Sequence, residues 1–430
     1  MKRRAIFTLV IVTLLINLAV GAKIYFSAAR VAADNDNSSA NFAVFNDAIQ
    51  KIRNEYVDGK NLTYQQLVYS ALRGAVGRLD PHSEFLDADA FQQLQDDTEG
   101  QFGGLGLVVA MRAGQITVIS PMADTPGARA GILAGDQIVR VEGQNVSGKP
   151  LGAVVKLLRG DPGSSVTLTV RRPASGATKD YTLQRAIIQM QMVKDIHGQR
   201  EFPLDANHIG YIRVTQFGDS TADDLEAALV QLKKQGLQGL ILDLRWNPGG
   251  LLDQAVAVCE KFLPRGQLIV STEGRHQVDK YFAQGGDEIK NVPIVILVNL
   301  GSASAAEIVT GCLQDLHRAV VLGEKTFGKG SVQTIFPLDD GSALKLTVAK
   351  YYTPSHKVIH EHGITPDILV PITDAEEAAL LGRDEGGDLD APADQPPAVT
   401  AAGLPDEQLD RAEDLLKGLL VYRALNAAGK

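Results

Sequence analysis

Three side chains, Ser304, Lys329 and Gln333, have the types and spacing to cut an acyl bond. Ser304 lies in Asn299-Leu-Gly-Ser-Ala-Ser-Ala-Ala-Glu307, and the other two lie in Thr326-Phe-Gly-Lys-Gly-Ser-Val-Gln333. A serine hydroxyl is a weak nucleophile at neutral pH and needs a base within hydrogen-bonding reach. A lysine amine can be that base only when burial or nearby positive charge holds it unprotonated, below its usual value of about 10.4. Serine–lysine pairs are a known variant of the triad, with a third polar group orienting the base. Gln333 is neutral, so it can orient the amine without charging it. The trio predicts peptide-bond cleavage through a serine nucleophile.

Ser304 carries a second reading. Ser304-Ala-Ala-Glu307 is also a capping box, in which the hydroxyl only starts a helix. The two readings share one location, because the unpaired N–H of Ala305 and the positive helix end would face an oxyanion. Ser302 is the rival serine and ranks second. Another loop, Asp243-Leu-Arg-Trp-Asn-Pro-Gly-Gly250, ends in paired glycines whose N–H groups can meet a ligand unobstructed. Gly249 or Gly250 is the expected second oxyanion donor beside Ala305. Asp243 and Arg245 read as an ion pair holding that loop.

Two motifs are decoys. Gly323-Glu-Lys-Thr-Phe-Gly-Lys-Gly330 nearly matches a phosphate-binding loop, but Gly330 replaces the Ser/Thr that would hold magnesium. The next residues, Ser331–Phe336, are also strand-like rather than a helix start. His356, His360 and His362 invite a metal, yet Pro354 and Gly363 mark their segment as a loop. No metal and no cofactor are expected.

The elements that would position these groups alternate strand and helix, which implies a sheet with helices packed on it. Expected are strand Gly210–Val214, helix Ser220–Gln235, strand Leu237–Leu244 and helix Leu251–Phe262. Strand Val292–Val298 and helix Ser304–Leu316 come next, then strands Ala319–Leu322, Val332–Phe336 and Leu344–Tyr351. Before this α/β region, 34–41 reads as a polar tether. Phe45, Ile49, Ile52 and Tyr56 then recur at helical spacing, and Asp80-Pro-His-Ser83 makes a turn and cap. Residues 98–185 are rich in glycine and β-branched residues, with one short helix. A flexible linker within 376–403 and a final amphipathic helix, Pro405–Leu425, complete the chain.

At 430 residues the chain is too long for one ordinary domain. Its net charge of −9, without a basic stripe, excludes nucleic acid as a partner. Cys259 and Cys312 read as buried free thiols, with a disulfide left open until geometry is known. Lys2, Arg3 and Arg4 precede the apolar run Ala5–Ala22, the design of an export signal or signal anchor. An uncleaved membrane anchor is favoured over cleavage at Val31-Ala-Ala33. The rest of the chain is then exported, to the periplasm in a Gram-negative source.

Gly103-Gly-Leu-Gly-Leu-Val-Val109 resembles the carboxylate-binding loop of a PDZ domain, and Gly135-Asp136 and the helix Gly152–Leu158 come after it in the order of bacterial PDZ modules. N–H groups at Gly104, Leu105, Gly106 and Leu107 could capture a terminal carboxylate while the adjacent strand edge pairs with the tail. Arg159, at the end of that helix, reads as a solvated surface residue. With Leu79-Asp-Pro-His-Ser83, Leu244–Gly250, Gly301–Glu307, Phe327–Gln333 and Gly363-Ile-Thr-Pro-Asp367, the chain resembles the carboxyl-terminal processing (tail-specific) peptidases over about 42–372. The resemblance implies Ser304 as nucleophile, Lys329 as general base, Gln333 as third member, and Ala305 with Gly249 or Gly250 as oxyanion donors. It implies an α/β, ClpP/crotonase-like spiral of ββα units with an inserted PDZ domain and helical N- and C-terminal segments. The expected divisions are 1–33 anchor, 34–97 helical region, 98–185 PDZ domain, 186–375 protease core and cap, 376–403 linker and 404–430 helix. The expected partners are protein substrates with apolar C-terminal tails, an adaptor lipoprotein and further copies of the chain. Trp246 departs from the family pattern and is expected to narrow a subsite or pack on the PDZ module.

Overall fold

A computed structural model describes residues 38–59, 62–112, 114–122, 124–286, 289–373, 376–377, 380 and 406–428. The apolar run at 5–22 and most of the linker lie outside them. Among the described residues no helix is long and apolar enough to cross a membrane. The chain divides into two compact units, up to Phe85 and from Leu86 onward.

In the first unit, helix α1 (Ser38–Glu55) precedes α2 (Tyr64–Val76). Helix α1 starts inside the stretch read as a tether, since serine and asparagine are well tolerated in a first turn whose N–H groups lack helical partners. Thr63 caps α2 by accepting from Gln66 N–H at 3.1 Å, and Gln66 returns the bond to Thr63 N–H. Asp80 closes the expected turn, accepting from the N–H groups of His82 and Ser83. Strand β1 (Glu84–Leu86) comes next.

The second unit opens with α3 (Ala88–Glu99), capped by Asp87 and stopped by Gly100 in the left-handed region. Strands β2 (Gln101–Gly104) and β9 (Ala186–Gln189) pair antiparallel and bracket an inserted module. Its strands are β3 (Leu107–Arg112), β4 (Gln115–Pro121), β5 (Gln137–Val141), β6 (Gln144–Asn145), β7 (Ser165–Arg172) and β8 (Ala177–Gln184). They run in the order β3-β4-β5-β7-β8, with β6 on β5, so β3 is an edge strand. Helices α4 (Pro126–Arg129) and α5 (Leu151–Leu158) complete the module, one more helix than expected. Its core gathers Ile116, Val118, Ile138, Val154 and Leu168. The buried Asp136 carboxylate accepts from Leu133 N–H and from two nitrogens of Arg172, whose hydrogen bonds hold its pKa below the usual carboxylate range.

The rest is α/β, as the alternation implied. A six-stranded sheet runs in the order β10 (Val193–Lys194), β11 (Ile209–Val214), β12 (Gly239–Asp243), β15 (Ile294–Val298), β16 (Val320–Gly323), β19 (Ile368–Leu369). All its pairings are parallel except β10 with β11. Helices α6 (Thr221–Gln235), α7 (Leu252–Glu260) and α8 (Ala305–Asp315) cover one face, over Ile212, Leu240, Leu242 and Ile296. The alternate residues Ile209, Ile241, Val295, Leu297 and Leu322 point the other way and meet Ala412 and Leu416 of the last helix, α9 (Glu407–Ala428). Leu225, Leu229 and Leu232 are wholly buried, so α6 spends its apolar stripe against the sheet. An antiparallel layer joins the hairpin β17 (Ser331–Pro337) and β18 (Ala343–Tyr352) to β13 (Leu268–Gly274) and β14 (Val278–Phe282). The β13–β14 pair was not expected from sequence, because Glu273, Asp279 and Lys280 break its apolar alternation.

Candidate active site

Ser304 stands where the chain leaves β15 and enters α8, with φ 56° and ψ −115°. A non-glycine residue held there stores backbone strain, so its neighbours must over-determine it. Asn299 Oδ1 accepts from Gly301 N–H and from Trp246 N–H, and Asn247 O accepts from Ala303 N–H. Ser302 is fully buried, donates to Leu244 O at 2.8 Å and accepts from Asn299 N–H. The rival serine is therefore committed to holding the turn.

The capping box is present, and its acidic member does more than cap. Glu307 is fully buried and its carboxylate accepts from Ser304 N–H (2.8 Å), Lys329 N–H (2.9 Å), Gly328 N–H (2.7 Å) and Thr326 Oγ1 (2.5 Å). Burial pushes its pKa up against these four hydrogen bonds. The serine turn and the lysine loop are thus tied to one carboxylate.

Ser304, Lys329 and Gln333 line a single cavity of about 660 Å³, with Ala305, Gly250, Lys345 and Tyr351 in its wall. Burial, helped by the charge of Lys345, holds the Lys329 amine below the usual lysine range, while Glu307 acts in the opposite direction. Gln333 donates to Ser331 Oγ at 2.9 Å and to Thr347 Oγ1 at 3.3 Å, so its amide group is held by both strands of the hairpin. Tyr351, fully buried, donates its hydroxyl hydrogen to the Lys329 carbonyl, and burial raises its pKa well above the usual tyrosine value. Neither Tyr351 nor Lys345 stood out in the sequence, and Glu307 did so only as a cap.

The two glycines differ. Gly249 N–H donates to Asn247 Oδ1 at 2.8 Å, whereas Gly250 lines the cavity. Neither Gly250 N–H nor Ala305 N–H donates to another described residue. Gly249 packs closely on the Ser304 turn: a Cβ there, at φ 101°, would stand 2.7 Å from Ser304 Cβ and 2.9 Å from Ala305 N. Asp243 and Arg245 form the expected ion pair, 2.6 Å apart and buried.

Gly104 ends β2 and Leu105, Gly106 and Leu107 lead into the inserted module, and none of the four lines this cavity. Gly106 takes φ 68°, and its carbonyl accepts from Met122 N–H. Arg159 is not the solvated residue expected: its guanidinium lies 4.2 Å over the Phe102 ring and 3.4 Å from Asp97. Trp246 is not among the residues that line the cavity. Its indole N–H donates to Glu377 at 3.0 Å, and its ring lies near Arg213 and Arg245. His356 pairs with Glu273 and stacks on Tyr352. Cys259 and Cys312 are free and buried, and desolvation with the neighbouring Cys312 raises the Cys259 pKa.

The model of peptidase family S41 matches residues 208–370, and a PDZ domain model matches 117–172. The carboxy-terminal-processing protease of Bartonella bacilliformis is 40% identical over 423 residues, covering 94% of this chain and 95% of that protein. Carboxy-terminal processing protease CtpA of Bacillus subtilis is 34% identical over 80% of this chain and 72% of its own length. Among solved structures, the photosystem II D1 C-terminal processing protease is similar at 34% identity and a TM-score of 0.44, over 74% of this chain and 86% of that one. With the full-length match to the Bartonella protein, the sequence and its PDZ module lead to one assignment: this chain belongs to the carboxy-terminal-processing serine proteases of peptidase family S41.

Proposed function

We propose that the chain works outside the cytoplasm, cutting proteins that it holds by their carboxyl-terminal tails, through a serine–lysine acyl transfer. The observation that carries this reading is the shared cavity, lined both by Ser304 and by a lysine whose burial favours the neutral amine. Ser304 Oγ attacks the scissile carbonyl carbon while its proton passes to Lys329 Nζ. The resulting oxyanion rests on the N–H groups of Ala305 and Gly250, the two left uncommitted. Gly249 serves the same site by its backbone shape, since its own N–H is held by Asn247. The C–N bond then breaks, and Lys329 returns the proton to the leaving amine. Water attacks the acyl-enzyme, gives its proton to Lys329, and Ser304 is released with its hydrogen restored. Gln333, anchored across the hairpin, orients the amine.

In this reading Gly104–Leu107 and the open edge of β3 take up an apolar tail, and the apolar segment 5–22 exports and anchors the chain. Exposed Phe42, Val44 and Ile52 on α1 and Val421, Tyr422 and Leu425 on α9 support association with further copies. An adaptor lipoprotein is part of the same proposal, on the family resemblance alone. The test is digestion of an unstructured protein with an apolar tail: Ser304→Ala and Lys329→Ala each abolish cutting while the fold is retained. Wild-type cutting by either variant would overturn the mechanism.

A further inference from the structure

The loop that carries Gly249 and Gly250 is held at its base by the far end of the chain. Arg245 is 3% exposed, and a buried guanidinium must place five N–H donors. Asp243 takes Nε and one Nη2 hydrogen, at 3.0 and 2.6 Å from its Oδ2. Asp406 takes one hydrogen each from Nη1 and Nη2, both at 2.8 Å, and Gln408 Oε1 takes the last at 3.2 Å. The fork is filled, and two of its five donors go to the oxygens of one residue immediately before α9.

What Arg245 holds passes directly to the reacting groups. The next residue, Trp246, donates its N–H to Asn299 Oδ1, which also fixes Gly301. Asn247 then accepts from Ala303 N–H through its carbonyl and from Gly249 N–H through its side chain. A tilt of the guanidinium therefore shifts both the Gly250 amide and the turn bearing Ser304 and Ala305.

We propose that Asp406 is a positioning residue for the cleavage reaction, setting the oxyanion donors through Arg245 although it never meets substrate. The proposal rests on the cleft reading above. Parallel N–H···O bonds to a carboxylate fix the plane of a guanidinium, and Asp406 adds such a pair on the Nη1/Nη2 edge to the Nε and Nη2 bonds that Asp243 accepts.

The test uses the full-length protein and the tail-bearing protein substrate, with Asp406→Asn, Asp406→Glu, Leu416→Ala and Ser304→Ala compared side by side. Asp406→Asn presents an amide to one of the two N–H donors, so kcat should fall about tenfold with KM unchanged. The rate at which a fluorophosphonate labels Ser304 should fall with it, and Asp406→Glu should restore part of both. Leu416→Ala weakens the packing of α9 without touching the clamp, so it should lower Tm and leave kcat within about twofold. A wild-type kcat for Asp406→Asn would overturn the proposal. So would a loss explained by the unfolded fraction, or an equal loss in Leu416→Ala. Activity surviving Ser304→Ala would instead sink the reading of the cleft, so the two failures are distinguishable.

Discussion

The Glu307 carboxylate and the Lys329 backbone N–H are 2.9 Å apart, and the same carboxylate oxygen accepts the Ser304 N–H at 2.8 Å. Ser304 and Lys329 come from separate segments, and this acid ties their backbones together. Its other oxygen accepts from Gly328 N–H and Thr326 Oγ1, so each oxygen is used twice.

Glu307→Gln should therefore be costly despite its near-identical shape. An amide NH₂ cannot accept, so two buried donors lose their partner, at about 1–3 kcal/mol each. The expected result is a lower Tm in a thermal melt and a kcat loss larger than the unfolded fraction explains. An unchanged Tm would show that the carboxylate does not tie the segments together.

The rate of cutting should rise with pH and level off below the ordinary lysine range of about 10.4, because burial and Lys345 favour the neutral Lys329 amine. The sign comes from the depressed value: the neutral, folded form is favoured above it, and that advantage is lost as pH falls through it. Lys345→Ala removes a repelling charge and should move the rise to higher pH, whereas Lys345→Arg should leave it in place. A pH profile of kcat/KM checks both, and coincident profiles for wild type and Lys345→Ala would refute the role of that charge.

Gly249→Ala places a methyl group 2.7 Å from Ser304 Cβ at a φ of 101°. The added carbon must push the turn that carries Ser304, since the contacts at Ala303 O and Ala305 N are backbone. A kcat loss of about a hundredfold is expected, the scale of a lost oxyanion donor. Steady-state kinetics on folded protein would measure it, and a loss under about threefold would show that the turn can yield.

If the loop at Gly104–Leu107 reads a terminal carboxylate, amidating the tail of a fluorescent apolar peptide should weaken binding about tenfold or more. Gly106→Val should do the same, because its Cβ would meet Thr125 at 2.3 Å at a φ of 68°. Equal affinities for the acid and the amide would exclude carboxylate capture at this module.

Much of this was legible in the chain itself. The expectation for Ser304, Lys329 and Gln333 could be formed because the chemistry demands particular residue types in short glycine-rich segments, and all three line one cavity. The parallel strands showed as apolar runs such as Val292–Val298, whose strand Ile294–Val298 is buried on both faces. Other groups were hidden by distance. Glu307 meets Thr326 and Lys329 across 19 and 22 residues, and nothing local marks that contact. Tyr351 and Lys345 reach the cavity through the register of β17 on β18, which alternation alone does not set. Arg159 looked solvated because its partners, Phe102 and Asp97, come from before the inserted module.

The placement of α9 has a consequence for biosynthesis. A growing polypeptide makes every strand of the parallel sheet before Ala412 and Leu416, the residues that close its second apolar face, exist. A half-made copy leaves Ile241, Val295 and Leu297 wet and Arg245 short of Asp406. The second face of the sheet and the Arg245 clamp are therefore completed only once residues 406–416 have been made.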